Sequence, residues 1–99
     1  MLIVTGTIEF NPERIGSAQA AVTKMMEETR KEAGCIVYEF SQLVEAPHRF
    51  RVYEEWTGDA ALAAHSDAPH MAAFREALGE IGVISKDIVK FPAGERVAL

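Results

Sequence analysis

The sequence predicts a single α+β domain whose strands and helices follow one another in the order β-α-β-β-α-β. Along the chain, apolar residues switch between a spacing of two, typical of strands, and a spacing of three to four, typical of helices. Proline and glycine residues stand where the spacing changes. No linker, repeat or low-complexity tract divides the 99 residues, so we expect one domain over 1–99, with a core of about 1–92 and a tail of 93–99.

The first strand and the first helix are predicted over residues 2–9 and 12–33. Apolar residues alternate along the strand, and Gly6 interrupts them in a way that suggests a bulge or a close neighbour. The pair Asn11–Pro12 is a typical helix start, because asparagine caps the free N–H groups and proline fits the first helical position. Gly34 fits the position just after the end of a helix.

Residues 35–45 and 49–56 are predicted to form a hairpin, because both segments alternate apolar and polar residues around a break at 46–48. A three-residue loop at this break would pair Tyr38 with Trp56. A two-residue loop would place two glutamates opposite each other, which is unfavourable, so we prefer the first register. That register gathers these residues on one face, with a single charge among them: Ile36, Tyr38, Phe40, Phe50, Val52, Glu54 and Trp56.

Two further helices and a last strand complete the predicted fold. A short alanine-rich helix over 58–65 is expected to be capped by Thr57, a second helix over 69–81 to end at Gly82, and a strand to follow over 83–91. This order is the split βαβ pattern of a ferredoxin-like sandwich, in which helices cover one face of an antiparallel sheet. The other sheet face is half apolar, and such a face is often covered by a second subunit.

Composition and charge argue against several classes of protein. Fifteen acidic and ten basic residues give a net charge of −5, which disfavours nucleic-acid binding because phosphates require a basic face. No apolar run is long enough to span a membrane and the start does not resemble a secretory leader, so we expect no membrane association and a cytoplasmic location. The single cysteine, Cys35, cannot form an internal disulfide or a metal site alone.

Four segments in the middle of the chain carry a family resemblance. Gly34–Glu39 reads G-C-I-V-Y-E and Arg49–Trp56 reads R-F-R-V-Y-E-E-W, followed by A-A-L-A-A-H at Ala60–His65 and P-H-M at Pro69–Met71. These segments, in this order, resemble the antibiotic biosynthesis monooxygenase family. The resemblance extends over almost the whole chain and is most specific over residues 34–74.

The resemblance implies a homodimeric α+β barrel, in which two sheets pack face to face, and a pocket in each subunit between sheet and helices. Enzymes of this family oxidise electron-rich polycyclic phenols, anthrones or quinols with O₂, without metal or flavin. We therefore expect a cofactor-independent monooxygenase that acts on a small aromatic substrate, either quinol-like or a polycyclic phenol. Two alternatives stay open: an isomerase of small hydroxy-ketones, and a binding or stress protein without turnover.

Two departures from the family pattern narrow the range of expected substrates. Val52 stands where actinorhodin-type members carry an asparagine that holds a keto oxygen, which argues against that substrate class. The haem-degrading members have a tryptophan at the position of His65 and a haem-ligating histidine at the position of Arg75. Haem is therefore not expected as a substrate.

Cofactor-free oxygenation needs a base in an apolar pocket, because the deprotonated substrate itself supplies the electrons to O₂. His65 is the leading candidate for this base, since imidazole exchanges protons near neutral pH and the resemblance places the residue near the pocket mouth. Its ordinary alternative is a histidine that ends a helix. Glu54, an acid on a buried face, is the second catalytic candidate, either as a base, as a hydrogen-bond partner for His65 or as a helix anchor.

The candidate substrate-binding residues are mostly aromatic or apolar. Trp56 would stack on a flat substrate, although core packing is the more ordinary role of a large aromatic residue. The remaining candidates are Tyr38, Phe40, Val52, His70, Met71 and Phe74. No cofactor is expected, because the sequence has no dinucleotide-binding glycine motif and no clustered Cys/His ligand set. His65 and His70 lie five residues apart across a helix break, a spacing that is not typical of metal ligands, so we expect no metal site.

Overall fold

The computed structural model describes all residues, 1–99, and contains four strands, three α-helices and a short 3₁₀-helix. In chain order these are β1 (Leu2–Phe10), the 3₁₀-helix (Pro12–Arg14), α1 (Ile15–Thr29), β2 (Cys35–Leu43), β3 (Ala46–Trp56), α2 (Asp59–Ser66), α3 (Pro69–Ile81) and β4 (Val83–Pro92). The predicted element order is confirmed. No helix combines the length and the apolarity needed to cross a membrane.

The four strands form one antiparallel sheet in the order β2-β3-β1-β4. The buried residues of β1 and β3 alternate with outward-facing ones, and the helices pack on the buried side. The predicted ferredoxin-like α+β fold is therefore confirmed. The core that joins sheet and helices includes Ile8, Phe10, Ala18, Val22, Met25, Phe50, Val52, Trp56, Phe74 and Ile81.

Gly6 is confirmed as a point of close approach. A Cβ atom at this position would lie 2.0 Å from the carbonyl oxygen of Asp87 and 2.6 Å from Cα of Ile88, the residue paired with Gly6 in β4. The pairing of β1 with both neighbours runs through Gly6 without a bulge. Any larger residue here would push β4 away from β1.

The turn between β2 and β3 differs from its prediction. The chain turns at Val44–Glu45, and the segment predicted as the loop begins β3 instead. Tyr38 therefore pairs with Glu54 rather than with Trp56. Pro47 can lie in β3 because the pairing of β2 with β3 is irregular there. No backbone hydrogen bond of the ladder requires the N–H that proline lacks. Since the shift is two residues, the side chains keep their predicted faces.

Smaller differences concern element ends. α1 ends at Thr29 rather than at residue 33, and the chain then reverses through a turn in which Gly34 adopts φ +83°. Thr57 does not cap α2, whose N-cap position is the following residue. Ile36, predicted on the buried face, is about half exposed, because the pairing of β2 with β3 is irregular at this point.

The tail over residues 93–99 has no regular secondary structure and begins beside the sheet face that the helices leave uncovered. The Ala93 N–H donates to the carbonyl oxygen of Met1 at 2.9 Å. Further along, the Arg96 guanidinium donates to Glu55 Oε2 at 3.0 Å. Glu55 points to the uncovered face, since its neighbours Glu54 and Trp56 alternate with it and face the helices.

Candidate functional site

The candidate site is built around one carboxylate oxygen. Glu32 Oε2 lies 2.7 Å from His65 Nδ1 and 2.7 Å from His70 Nε2. Glu32 comes from the turn after α1, His65 from the last turn of α2 and His70 from the first turn of α3. The break between α2 and α3 directs both rings toward the same carboxylate. We call these three residues the histidine–glutamate cluster.

The cluster determines which imidazole nitrogens carry protons. An ionised carboxylate only accepts hydrogen bonds, so both contacts require N–H donors, on His65 Nδ1 and on His70 Nε2. In neutral rings, His65 Nε2 and His70 Nδ1 are then the unprotonated nitrogens. A carboxylate that orients an imidazole in this way prepares it to accept a proton on its other nitrogen.

His65 is packed inside the protein against aromatic rings. Its ring centroid lies 4.9 Å from that of Trp56 and 5.5 Å from that of Tyr38. The residue is 4% exposed. The expectation that His65 stands at a pocket mouth is therefore wrong, because α2 lays the ring onto the core.

Glu54 is the buried acid on the helix-facing side of β3. Its Oε1 accepts a hydrogen bond from the Trp56 indole N–H at 2.8 Å, and the residue is 6% exposed. The expected pairing of Glu54 with His65 is wrong, because Glu32 takes that position. Burial raises the pKa of Glu54 to about 7, the charge of Glu32 adds to this rise, and the bond from Trp56 opposes it. Glu54 therefore exchanges its proton near neutral pH.

The predicted aromatic residues of β2 and α3 form a continuous apolar wall beside the cluster. Tyr38 contacts Phe40 with ring centroids 5.7 Å apart, and Phe40 contacts Phe74 at 6.0 Å. Burial holds the pKa of Tyr38 well above its usual range, with the charge of Glu54 adding to the rise. The tyrosine hydroxyl is therefore neutral under physiological conditions.

An apolar cleft of about 280 Å³ opens between α1 and α3, and we call it the helix cleft. Small alanine side chains from both helices line it, together with Met25, Phe74, His70 and Lys24. His70 is thus the member of the cluster that the cleft reaches. A second recess of about 380 Å³, with mixed polar and apolar walls, lies between α1 and β2 beside Phe40.

The predicted site residues lie at the cluster, in the helix cleft or in neither place. His65, His70, Tyr38, Trp56 and Glu54 lie together at or near the cluster, while Phe74 joins His70 in the helix cleft. Trp56 is 0% exposed, so its ring borders no open space. Val52 lies in the core and Met71 packs partly buried at its edge, so neither lines the helix cleft.

Sequence reasoning missed Glu32, the residue that joins the two histidines. His65 and His70 also meet, despite the spacing of five residues between them, because the helix break brings both rings to one oxygen. Glu32 lies in a charged stretch, Arg30–Glu32, that reads as solvated surface. The only local feature that could have indicated Glu32 is its position two residues before Gly34, where the segment Gly34–Glu39 that resembles the family begins.

Comparison with protein families places this site in a known fold. The sequence profile described as antibiotic biosynthesis monooxygenase matches residues 1–77. The chain belongs to the antibiotic biosynthesis monooxygenase family. The matched range contains the whole histidine–glutamate cluster as well as Glu54, Trp56 and Phe74. The site described above is therefore part of the family domain.

Several solved structures match this chain over almost its whole length. A crystal structure from Deinococcus radiodurans is 26% identical, with a TM-score of 0.92, and the match covers 100% of this chain and 98% of that one. PA3566 from Pseudomonas aeruginosa is 26% identical with a TM-score of 0.85, over 98% and 94% of the two chains. A structure described as an antibiotic biosynthesis monooxygenase is 25% identical with a TM-score of 0.88, over 96% and 100%.

Among curated proteins, the uncharacterized protein sll1783 from Synechocystis sp. is 31% identical over 75 residues. That match covers 76% of this chain and 51% of the relative, so the chain spans about half the length of the curated protein it matches.

Proposed function

We propose that this member of the antibiotic biosynthesis monooxygenase family is a cofactor-independent monooxygenase that oxidises a small phenol or quinol with O₂. The observation that carries the proposal is the Glu32 oxygen 2.7 Å from both His65 and His70. It leaves an unprotonated imidazole nitrogen on His70, the histidine that lines an apolar cleft. A proton acceptor beside a mostly apolar cavity is what deprotonation of a phenol requires.

The helix cleft is the proposed substrate site. Its volume of about 280 Å³ lies just below the usual range of ligand pockets, roughly 300–1,000 Å³. A substrate of one or two aromatic rings fits this volume better than one of four. Phe74 and the alanines offer flat apolar walls, and the Lys24 ammonium, which forms no ion pair, offers a countercharge for the substrate anion.

The chemistry begins with removal of the substrate's hydroxyl proton. We place this proton on His70 Nδ1, where the carboxylate of Glu32 stabilises the imidazolium through the Nε2–H bond. The substrate anion then reduces O₂ and combines with it. One oxygen atom enters the ring, and the other leaves as water with two hydrogens taken from the quinol, which becomes a hydroxyquinone.

The predicted catalytic residues His65 and Glu54 do not line the helix cleft. We propose that His65 acts as a positioning residue, because its bond to Glu32 holds the carboxylate in place for His70. Glu54 fixes the indole of Trp56, against which the His65 ring packs.

The test is oxygen-electrode screening of a panel of hydroquinones, naphthohydroquinones and anthrones on chelator-treated protein. We expect O₂ uptake with a one- or two-ring member of the panel and a loss of about 10²-fold in His70→Ala. His48→Ala is the matched control, since His48 also lies 2.7 Å from a glutamate, Glu9, but outside the cleft. Absence of O₂ uptake across the panel, or equal losses in both variants, contradicts the proposal.

A binding protein without turnover is the second candidate, and the complete burial of Trp56 favours it. In that case the same aromatic molecules would bind in the helix cleft and O₂ would not be consumed. Calorimetric titration of the panel, run beside the oxygen electrode, separates the two functions. An isomerase of small hydroxy-ketones is less well supported, because the cleft walls are almost wholly apolar.

We further propose a homodimer formed through the uncovered sheet face. Val89 and Phe91 on β4 are exposed there, and they pair with Thr5 and Ile3 of the central strand β1. An apolar surface of this kind is stabilised when a second copy covers it. Sedimentation equilibrium at micromolar concentration should give twice the mass of one chain, and a single-chain mass contradicts the proposal.

A further inference from the structure

We propose that the histidine–glutamate cluster is also a binding site for a divalent first-row transition metal ion, with Zn²⁺ the best match. This goes beyond the proposed oxygenase, which needs no metal. An ion on these three side chains would replace the protons that orient the imidazoles, and it would therefore act as an inhibitor of proton transfer rather than as a cofactor.

The donor set matches the coordination chemistry of such ions. His65, His70 and Glu32 each offer one ligand atom, and these atoms lie within 4.8 Å of one another. Two imidazole nitrogens and one carboxylate oxygen are common ligands of Zn²⁺ and of neighbouring divalent ions, whereas Mg²⁺ and Ca²⁺ prefer oxygen alone. Three protein ligands leave a fourth position for water.

An ion requires the three ligand atoms to become evenly spaced around it. The two nitrogen–oxygen contacts are now hydrogen bonds of 2.7 Å. Ligands at about 2.0–2.1 Å from a tetrahedral ion lie about 3.3 Å apart, so these contacts must lengthen by about 0.6 Å. The two imidazole nitrogens, which lie within 4.8 Å of each other, must come to the same separation. Glu32 lies in a turn and His70 in the first turn of α3, so neither of these two ligands belongs to a strand of the sheet.

The surroundings favour a cation and provide access for it. The side chains of Glu32 and His70 are 16% and 17% exposed, while that of His65 is 5% exposed. The cluster is therefore shielded from bulk water and still open from the helix cleft through His70. Glu32 forms no ion pair with any lysine or arginine, so only the two histidines compete with a metal ion for its carboxylate.

The other histidine–glutamate contact, which is partly exposed, shows what distinguishes the cluster. His48 Nε2 lies 2.7 Å from Glu9 Oε2, the same separation as in the cluster. That pair has a single imidazole, and Arg49 already lies 3.8 Å from the same oxygen. His48 therefore supplies a control with equal contact geometry and an incomplete ligand set.

The experiment is calorimetric titration of ZnCl₂ into chelator-treated full-length protein, with Co²⁺ absorption in the visible range as a second readout. We expect one ion per chain, and a loss of affinity of about 100-fold or more in His65→Ala, His70→Ala and Glu32→Gln. His48→Ala should bind Zn²⁺ with the same affinity as the parent protein. Circular dichroism checks that each variant is folded, and since His70 is the most exposed ligand, His70→Ala decides the test if another variant does not fold.

Absence of binding by the parent protein overturns the inference, and so does unchanged affinity in His70→Ala or an equal loss in His48→Ala. Titration heat does not depend on turnover, so this result is separable from the oxygenase proposal. Failure of O₂ uptake would leave the metal site in place, and failure of Zn²⁺ binding would leave the oxygenase in place.

Discussion

Ionisation of Glu54 should make the folded protein less stable as the pH rises. Burial raises the pKa of this carboxyl from 4.5 to about 7. The folded state therefore binds the Glu54 proton more tightly than the unfolded state does. The resulting contribution to the free energy of unfolding is fully present below pH 4.5 and is lost as the pH rises through about 7.

The size of this effect follows from the pKa difference. The folded value of about 7 minus the reference value of 4.5 is 2.5. A pKa difference of one corresponds to 1.36 kcal/mol, so ionisation of Glu54 should lower the free energy of unfolding by about 3 kcal/mol between pH 4 and pH 8. This is a large part of the stability of a small domain, which is typically about 5–15 kcal/mol.

Glu54→Gln isolates this contribution, because glutamine keeps an oxygen for the Trp56 indole N–H and cannot ionise. Urea unfolding of both proteins should show the variant gaining about 3 kcal/mol over the parent as the pH goes from 4 to 8. All other titrating groups are common to both proteins and cancel in the difference. Glu27→Gln, an exposed change on α1, is the control and should show no such trend. If the difference in free energy of unfolding between Glu54→Gln and the parent stays constant or falls as the pH rises, Glu54 does not have a raised pKa in the folded protein.

Other substitutions test packing, catalysis and assembly. Gly6→Ala should lower the free energy of unfolding by about 1–3 kcal/mol, because its methyl group meets β4, whereas Gly16→Ala, with open space around it, should not be destabilising; thermal denaturation distinguishes them. His65→Ala should reduce the kcat of O₂ uptake about 10-fold with KM unchanged, since one hydrogen bond to Glu32 is lost; a larger change in KM would contradict a positioning role. Phe91→Glu should reduce the sedimentation mass to that of one chain without lowering helix content, and an unchanged mass would place the dimer interface elsewhere.

Hydrophobic periodicity predicted the order of the elements and the sheet face of most strand side chains. Element type and side-chain face depend on the local spacing of apolar residues, so both were predicted correctly for most of the hairpin although its register was wrong. Tyr38 pairs with Glu54 instead of Trp56, yet a shift of two residues leaves the side chains of the regular part of the ladder on their predicted side of the sheet. Ile36 is the exception, because the pairing is irregular between Cys35 and Val37. Gly6 correctly predicted a close approach of another backbone, because glycine in a strand leaves room for one.

Which groups meet in the site depends on how distant elements pack together. Glu32 is separated from His65 by 33 residues and from His70 by 38, and no local pattern links an acid in one turn to rings on two other helices. Their contact depends on where the α2–α3 break docks against the end of α1. The same docking buries Trp56 and opens the cleft beside His70, because the packing of helices against each other, rather than the period of any one of them, determines where space remains.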